Sequence, residues 1–469
     1  MKRLSNPLAA LRRRSDEASL GVTHCTWDPK GPGVIRLQLV PPRPGRGPRA
    51  HLLHINGFHI LPLSRGSAAL LRTFMIELSA SAVPGEEVSP EQMAGILDRT
   101  TARMHALYPS VPQAHFVSDL GQMQDLIGRI ARGEETPELA GRAMSLEQYA
   151  PHLRAPLRMD LAVMPMRIDG KWACPLECSI CYASSGAAMA VSKEALLGTA
   201  QWKRVLDLLW AAGVPTVSFT GGDPLARPDI AELVAHAERF VVRLNTSAVL
   251  LTPKLAASLR SSNLDVMQVT LYSDDADIHD ALVGRKGAWL KTARGIGTAR
   301  AAGIEVSINT PLVPENLATY AGTIEWAFRA LGVRYFTASG MLPAGGAVER
   351  IEAGGEAPGD ALYAALAEGK AKANALGAEL DFTSPGCLSE ERLRGLGMNV
   401  PACGACLGNM AVGPDGEVLP CQSWVHEQGP LGNILTVPWP KIWDSPACKR
   451  IRAAASLRND CPLRAEAIR

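Results

Sequence analysis

Thr216-Val217-Ser218-Phe219-Thr220-Gly221-Gly222-Asp223-Pro224 is the stretch on which the reading of this chain turns. Five residues suited to a strand end on two glycines, an acid and a proline, so a strand runs into a loop. Two adjacent glycines let a backbone approach a ligand closely, although a bare Gly-Gly is also a common turn. Upstream, Lys193–Ala212 has helical apolar spacing, and Gly213 follows it where a left-handed residue is wanted. Downstream, Asp229–Ala237 reads as a second helix. Working outward, the alternation repeats. Strands are expected at Arg158–Met164, Phe240–Asn245, Val266–Leu271, Glu305–Thr310 and Tyr335–Ala338. Helices are expected at Pro253–Leu259, Ala288–Ala302, Ala318–Leu331 and Asp360–Leu376. Six strand–helix units imply an α/β fold of parallel strands joined by right-handed crossovers. Periodicity admits either an open doubly wound sheet or a partial barrel. In both, functional residues belong at the C-terminal ends of the strands.

That rule can be tested on the chain. After the first strand comes Cys174-Pro175-Leu176-Glu177-Cys178-Ser179-Ile180-Cys181-Tyr182, a C-x3-C-x2-C run with an aromatic behind it. Three thiolates so close can wrap one metal centre and cannot pair off as local disulfides. They fall one short of the four that hold an ordinary iron–sulfur cluster, which leaves a position open. The bland alternative is zinc completed by a distant ligand. Asn245-Thr246-Ser247 follows the third strand, Thr270 ends the fourth and Asn309 the fifth. Polar and glycine-rich residues therefore gather at one edge of the sheet.

The cysteine run followed by Gly221-Gly222-Asp223-Pro224 resembles the radical S-adenosylmethionine (SAM) superfamily over about Arg158 to Ser339. The resemblance implies a partial (β/α)6 TIM-type barrel. It implies that Cys174, Cys178 and Cys181 hold a [4Fe–4S] cluster whose open iron takes SAM, and that one electron cleaves SAM to a 5′-deoxyadenosyl radical. By the same resemblance Tyr182 packs near the adenine and Gly221, Gly222, Asp223 and Pro224 form the turn at the SAM amino group. Asp223 stands where glutamate is usual. Thr270, Asn245 and Arg285 are further expected SAM contacts; His279 reads as structural.

A second cysteine group lies near the C-terminus: Cys387, Cys403, Cys406, Cys421, Cys448 and Cys461. Met410–Val412 and Glu417–Leu419 flank the turn Gly413-Pro414-Asp415-Gly416, a hairpin that brings Cys406 and Cys421 together. This stretch, with Leu431–Ile434 and Ile442-Trp443, resembles the SPASM and twitch extensions of radical SAM enzymes. Six cysteines cannot fill the eight places of two four-cysteine clusters, so one auxiliary [4Fe–4S] cluster is expected. Its expected ligands are Cys406, Cys421, Cys403 and Cys461, with Cys387 as rival. Zinc is the alternative for Cys403-x2-Cys406. Cys448 reads as a buried small hydrophobe or, with Cys387, as a hydrogen donor to a substrate radical.

In front, strands are expected at 33–40 and His51–Leu61 around a Pro/Gly-rich loop, then a helix over Ala68–Leu78 and another after the capping sequence Ser89-Pro90-Glu91-Gln92. This winged-helix-like arrangement resembles the pyrroloquinoline-quinone chaperone type of peptide-recognition domain, which adds a leader peptide as an edge strand; a structural cap is the alternative. Expected domains are 1–114 (this module), 115–153 (helical linker), 154–384 (barrel) and 385–469 (auxiliary-cluster extension).

Lys+Arg 48 against Asp+Glu 46 argues for neither nucleic acid nor membrane as a partner. No apolar run has the length of a membrane span, and the basic start Met1–Arg14 lacks a signal-peptide core. With ten cysteines in 469 residues, most of them in two groups, a cytoplasmic metalloprotein is expected. The resemblances imply an enzyme that matures a ribosomal precursor peptide, most simply by oxidative crosslinking, with a reductant such as ferredoxin or flavodoxin. Peptide epimerisation, small-molecule dehydrogenation and a non-catalytic iron–sulfur sensor are the alternatives.

Overall fold

The computed structural model describes residues 22–27, 35–42, 51–57, 59–81, 88–131, 134, 153–183, 190–262, 264–424, 429–455 and 460–463. Most of the Pro/Gly-rich loop, the basic start and most of the expected linker lie outside them. Two compact units divide the chain: residues up to Leu157 with Leu209–Pro215 and Arg239–Val241, and the remainder.

The first unit holds an antiparallel meander, β1 (Thr23–Trp27), β2 (Ile35–Val40), β3 (His51–Ile55) and β4 (His59–Leu63), in the order β1-β2-β3-β4. Helices α1 (Arg65–Ser81), α2 (Pro90–Leu107) and α3 (Gln113–Ala131) follow. The expected single strand His51–Leu61 is in fact β3 and β4, because Asn56 and Gly57, both at positive φ, turn the chain back. Strand β1 was not expected. Ser89 caps α2 in a full capping box with Gln92, as its sequence requires. Leu37, Leu39, Leu53 and Ile55 pack against Leu71, Phe74, Met104 and, from α3, Phe116, Leu120 and Ile127. The expected boundary at 114 therefore falls inside α3, whose apolar face belongs to this core rather than to a linker.

The second unit is built on a nine-stranded sheet. Its strands are β5 (Arg158–Met164), β9 (Thr216–Gly221), β10 (Val241–Thr246), β11 (Val266–Thr270), β12 (Glu305–Pro311), β13 (Tyr335–Ser339), β14 (Glu379–Phe382), β15 (Asn409–Val412) and β16 (Val418–Leu419). The order is β14-β13-β12-β11-β10-β9-β5-β15-β16. A small sheet of β6 (Arg167–Ile168), β7 (Lys171–Trp172) and β8 (Ala190–Val191) lies beside the cysteine run in sequence. The six expected strands are present, and β14 adds a seventh in parallel beside β13. The hairpin β15–β16 forms as expected, but β15 also pairs in parallel with β5, so the extension continues the sheet. Helices α4 (Thr199–Ala212), α5 (Ile230–His236), α6 (Pro253–Ser261), α7 (Ala276–Leu282), α8 (Ala288–Ala301) and α9 (Tyr320–Leu331) follow the strands in turn. The expected helix from Lys193 starts six residues late, at Thr199.

The two faces of this sheet differ. Leu161, Val217, Phe219, Val242, Leu244, Met267, Val306 and Ile308 are sealed from solvent. By register the opposite face carries Asp160 beside Ser218, Asn245 beside Gln268, Gln268 beside Ser307, and Asn309 beside Thr337. A parallel sheet covered by helices on both sides is apolar on both. A polar inner face instead belongs to a sheet that curves around a ligand, as a partial barrel does.

Candidate functional site

The cysteine loop leaves the C-terminal end of β5 and is pinned by backbone. Glu177 N–H and Ser179 N–H donate to the carbonyls of Val283 and Leu282 at 3.0 Å each. Gly284, at φ 68°, has no side chain because a Cβ there would stand 2.7 Å from the Glu177 oxygen. Gly346 N–H donates to the Cys181 carbonyl at 2.9 Å, and a Cβ on Gly345 would clash with the same carbonyl. The Gly/Ala-rich loop after β13 thus presses on the third cysteine. Trp172 Nε1–H closes the loop from its other end on the Leu176 carbonyl at 2.9 Å.

Cys174, Cys178 and Cys181 are half-buried and feel one another. Burial pushes the Cys174 thiol up to about 12, against a backbone N–H at Leu176 and the Arg285 guanidinium, which pull it down. Burial, then the charges of Cys181 and Cys174, push Cys178 higher still. Thiols so placed favour their protonated form until a cation replaces the protons. The Gly221–Gly222 turn stands against them. A Cβ on Gly222 would lie 3.4 Å from Cys174 Cβ and 3.0 Å from the Pro165 oxygen. Gly221, at φ 126°, is closed to any side chain by the Met164 oxygen. The turn admits no side chain at Gly221 and leaves little room for one at Gly222.

Asp223, expected in the turn at the SAM amino group, is held by donors of its own chain. Its buried carboxylate accepts from Thr246 Oγ1 at 2.7 Å, Ser247 N–H at 3.0 Å, Ser247 Oγ and Leu225 N–H at 3.0 Å. A carboxylate has about four acceptor positions, and four donors fill them. It braces the end of β9 to the end of β10. Pro224 opens the one-turn helix that Asp223 caps. Arg285 lies within electrostatic reach of Cys174. Thr270 ends β11 opposite Asn309 on the polar face. The Asn245 Oδ1 and Ser307 Oγ atoms on that face are buried and make no hydrogen bond, so an acceptor and a hydroxyl there have unused hydrogen-bonding capacity. Ser307, Gln268 and Thr337 were missed in the sequence, although period-2 alternation within each strand marks them. His279 is structural: its Nδ1 accepts from Tyr272 N–H at 3.3 Å, and burial lowers it to about 4.

Tyr182 packs with Trp172, Cys174 and Cys181 around Ala162 and Met166. Its hydroxyl lies 3.4 Å from Thr220 Oγ1 and donates to Gln422 Oε1 at 3.4 Å. Gln422 follows Cys421, so this bond runs from the residue after one cysteine site to the residue after the other.

In the second site the hairpin closes with Cys406 N–H on the Pro420 carbonyl at 3.0 Å. Cys406 itself adopts φ 55°, which a non-glycine residue accepts only when its surroundings demand it. Cys421 feels Cys461, Cys403 and Cys406, and burial pushes it up to about 12. Cys403, Cys421, Trp424 and Ile451 share one apolar cluster. Gly386 abuts Asp460 and the Cys461 nitrogen, which brings the Cys387 loop to the same place. Cys448, expected as a buried small hydrophobe or a hydrogen donor, is 0% exposed, with its thiol in reach of Cys406. The Cys406 thiol and the Arg452 cation favour the Cys448 thiolate. No group of three His, Cys, Asp or Glu among the described residues is set to hold a single metal ion. A cubane is several atoms across and takes its thiolates further apart than one ion does.

Comparison with known proteins agrees with this geometry. Residues 173–327 match the radical SAM superfamily and residues 403–463 an iron–sulfur cluster-binding domain, SPASM. The AdoMet-dependent heme synthase of Methanosarcina barkeri is 27% identical over 308 residues, 62% of this chain and 85% of that protein. The PqqA peptide cyclase of Ruegeria pomeroyi is 30% identical over 259 residues, 53% of this chain and 65% of the cyclase. Streptococcus suis SuiB, solved bound to precursor peptide SuiA, shares the fold at TM-score 0.55 and 14% identity, over 86% of this chain and 87% of that one.

Proposed function

From the premise that this chain belongs to the radical SAM superfamily and carries a SPASM extension, we propose that it is a peptide maturase that oxidatively crosslinks a ribosomally made precursor. Cys174, Cys178 and Cys181 would hold a [4Fe–4S] cluster, which with SAM bound would supply radical chemistry able to abstract a hydrogen atom from the substrate. The chain's own residues set where that happens. Gly221 and Gly222 offer backbone rather than side chains to the amino acid part of SAM. Tyr182 walls the cysteine loop, and Arg285 balances its negative charge. The polar sheet face orients the substrate through Asn245, Gln268, Ser307 and Thr337. Cys403, Cys406, Cys421 and Cys461 would hold one auxiliary [4Fe–4S] cluster, which would give the electron left by an oxidation a place to go.

The observation that carries the peptide reading is in the first unit. Strand β4 is a sheet edge, and Pro62 within it is of the kind that edges tolerate. Where β4 gives way to α1 opens a cleft of about 600 Å3 lined by Ser67, Leu70, Tyr108, Phe116 and Met123, with Asp119 and Asp125 at hand. It suits an extended peptide segment with apolar side chains; Arg129 also lines it, so its charge is mixed. The SuiB–SuiA and PqqA cyclase likenesses support the same substrate class. The heme synthase likeness favours a second reading, oxidation of a small molecule.

Co-expression with a short peptide encoded beside this chain tests both. A loss of two hydrogens from the peptide supports crosslinking, and deuterium uptake without mass loss in light water means epimerisation. Tight SAM cleavage with no binding of any neighbouring peptide to the first unit favours the small-molecule reading. No deoxyadenosine from cluster-loaded protein would make it a sensor. No described helix is long and apolar enough to cross a membrane, and a soluble reductant such as ferredoxin or flavodoxin is the proposed electron source.

A further inference from the structure

The polar face of the large sheet carries a cation that no step above uses. Strands β10 to β13 alternate between sealed and half-buried positions. The half-buried ones include Arg243, Asn245, Gln268, Thr270, Asn309 and Thr337. Their neighbours on the other face, Val242, Leu244, Met267, Val269 and Ile308, are sealed. The polar face therefore lines a space that solvent reaches. Arg243 stands two residues before Asn245 and shares its side of the sheet. Only β9 separates its strand from β5, and the charges of Arg158 and Asp160 reach it. Buried Asp160 is already engaged: Arg158 Nε lies 3.0 Å from its Oδ1, and Arg158 Nη2–H donates to its Oδ2 at 3.3 Å. Glu305, in the same row as Arg243 two strands away, is taken by Arg300 at 3.2 Å. Among the described residues Arg243 makes neither a hydrogen bond nor an ion pair. Burial, then the charge of Arg158, pulls its guanidinium below the usual arginine range, with Asp160 opposing.

A half-buried guanidinium is costly to keep unless negative charge or strong acceptors answer it. Here two guanidinium groups share one carboxylate, and Arg158 holds it. What remains of Arg243 is a planar fork of N–H donors, the shape that takes a carboxylate by two bonds at once. Asn245, Gln268 and Ser307 form one row across three strands next to it, and Asn245 Oδ1 and Ser307 Oγ there have capacity to spare. We infer that Arg243 is a specificity-determining residue: it receives a carboxylate of the substrate, while the row of Asn245, Gln268 and Ser307 takes the neutral polar groups beside that carboxylate. An uncharged substrate would leave the cation without an answer. The carboxylate is that of an aspartate or glutamate side chain in a peptide or of a small-molecule acid, and the same fork serves both. The inference rests on the reading of this face as the one that meets the substrate.

The test uses the full-length chain, reconstituted without oxygen and held with SAM but no reductant, so that nothing turns over. Glutarate is the probe. Calorimetry reads its binding, and thermal melting checks that each variant folds. The wild-type chain is expected to bind glutarate, and Arg243→Met to bind it about tenfold more weakly or worse, with SAM bound as before. Arg243→Lys keeps the charge and loses the fork, and is expected to fall between them. Equal glutarate binding by the wild type and Arg243→Met overturns the inference and leaves Arg243 as packing; so does a wild type that binds none. Weaker SAM binding in Arg243→Met also overturns it, because SAM's own carboxylate is then the partner. Should Arg243→Met not fold, Arg243→Lys is judged by the same outcomes. The source of the carboxylate is read on the short peptide encoded beside this chain, with its aspartates and glutamates changed singly to amides. One change that cuts kcat/KM for modification about tenfold in the wild type and costs nothing further in Arg243→Met puts the carboxylate on the peptide. If no change does so while glutarate binding still depends on Arg243, the carboxylate belongs to a small molecule. A peptide that is never modified sinks the peptide reading and leaves the glutarate result to decide this one, so the two failures are told apart.

Discussion

The two cysteine sites of the second unit are made of the same side chain and are opposite in design. The first is a loop at the mouth of β5, with three half-buried thiols, glycine cradles on two sides and unsatisfied acceptors nearby on the sheet. The second is a hairpin stitched to the sheet, with Cys403 and Cys406 buried, Cys421 and Cys461 half-buried, and a cation stacked on tryptophan. A site that must admit a reactant keeps space and polar groups around its metal. A site that only takes and gives electrons closes over it and sets its potential through the second layer.

The contrast breaks or sharpens under substitution. The largest effect is expected from Cys178→Ala, which should cut deoxyadenosine release by about a thousandfold or more, some 4 kcal/mol of barrier, on anaerobic reduction with SAM. The second site should keep its iron, leaving about four atoms per chain. Undiminished release from this variant would break the division of labour. Cys421→Ala should do the reverse. Its deoxyadenosine release should stay within about threefold of the parent, under 1 kcal/mol, while mass spectrometry finds the peptide unmodified. Next comes Gly221→Ala. The strain of a side chain at φ 126° against the Met164 oxygen is of the order of 1–3 kcal/mol, so calorimetry should show SAM binding weakened about tenfold or more. The second site's spectrum should be unchanged. The smallest effect belongs to Gln422→Ala, which removes the bond to Tyr182 and should cost about 0.5–1.5 kcal/mol of stability by thermal melting. Both spectra should survive; loss of either signal would mean that the two sites are held as one.

The sequence carried the parallel strands plainly, because each strand is a short apolar run that stops at a polar or glycine-rich loop, with a helix behind it. Gly213, Gly303 and Gly332, all at positive φ, fall just past helices as their positions required. The hairpin around Gly416, at φ 89°, was equally local. What was illegible was distant. Nothing in Asn409–Val412 announces Arg158–Leu161 as its neighbour, since parallel pairing leaves no turn signal. The bracing by Asp223 was illegible for a similar reason, as its donors at Thr246 and Ser247 come from the end of another strand. Asn56-Gly57 was legible and passed over: that dipeptide is a turn signal, and it splits the run read as one strand. The contact between Cys448 and Cys406 depends on how the helix Pro446–Ala455 packs, which helical spacing alone does not give.

The pairing of β15 with β5 also sets an order of events on the ribosome. Strand β5 is made early, and its partner on one side emerges only after β9 to β14 have been synthesised. Until then one row of its backbone N–H and C=O groups is bare, a template for unwanted pairing with another chain. Long-range parallel contacts are also among the slowest to form. A chain cut before Asn409 would leave that edge open for good and should collect in aggregates even though every residue of the first cysteine site is present.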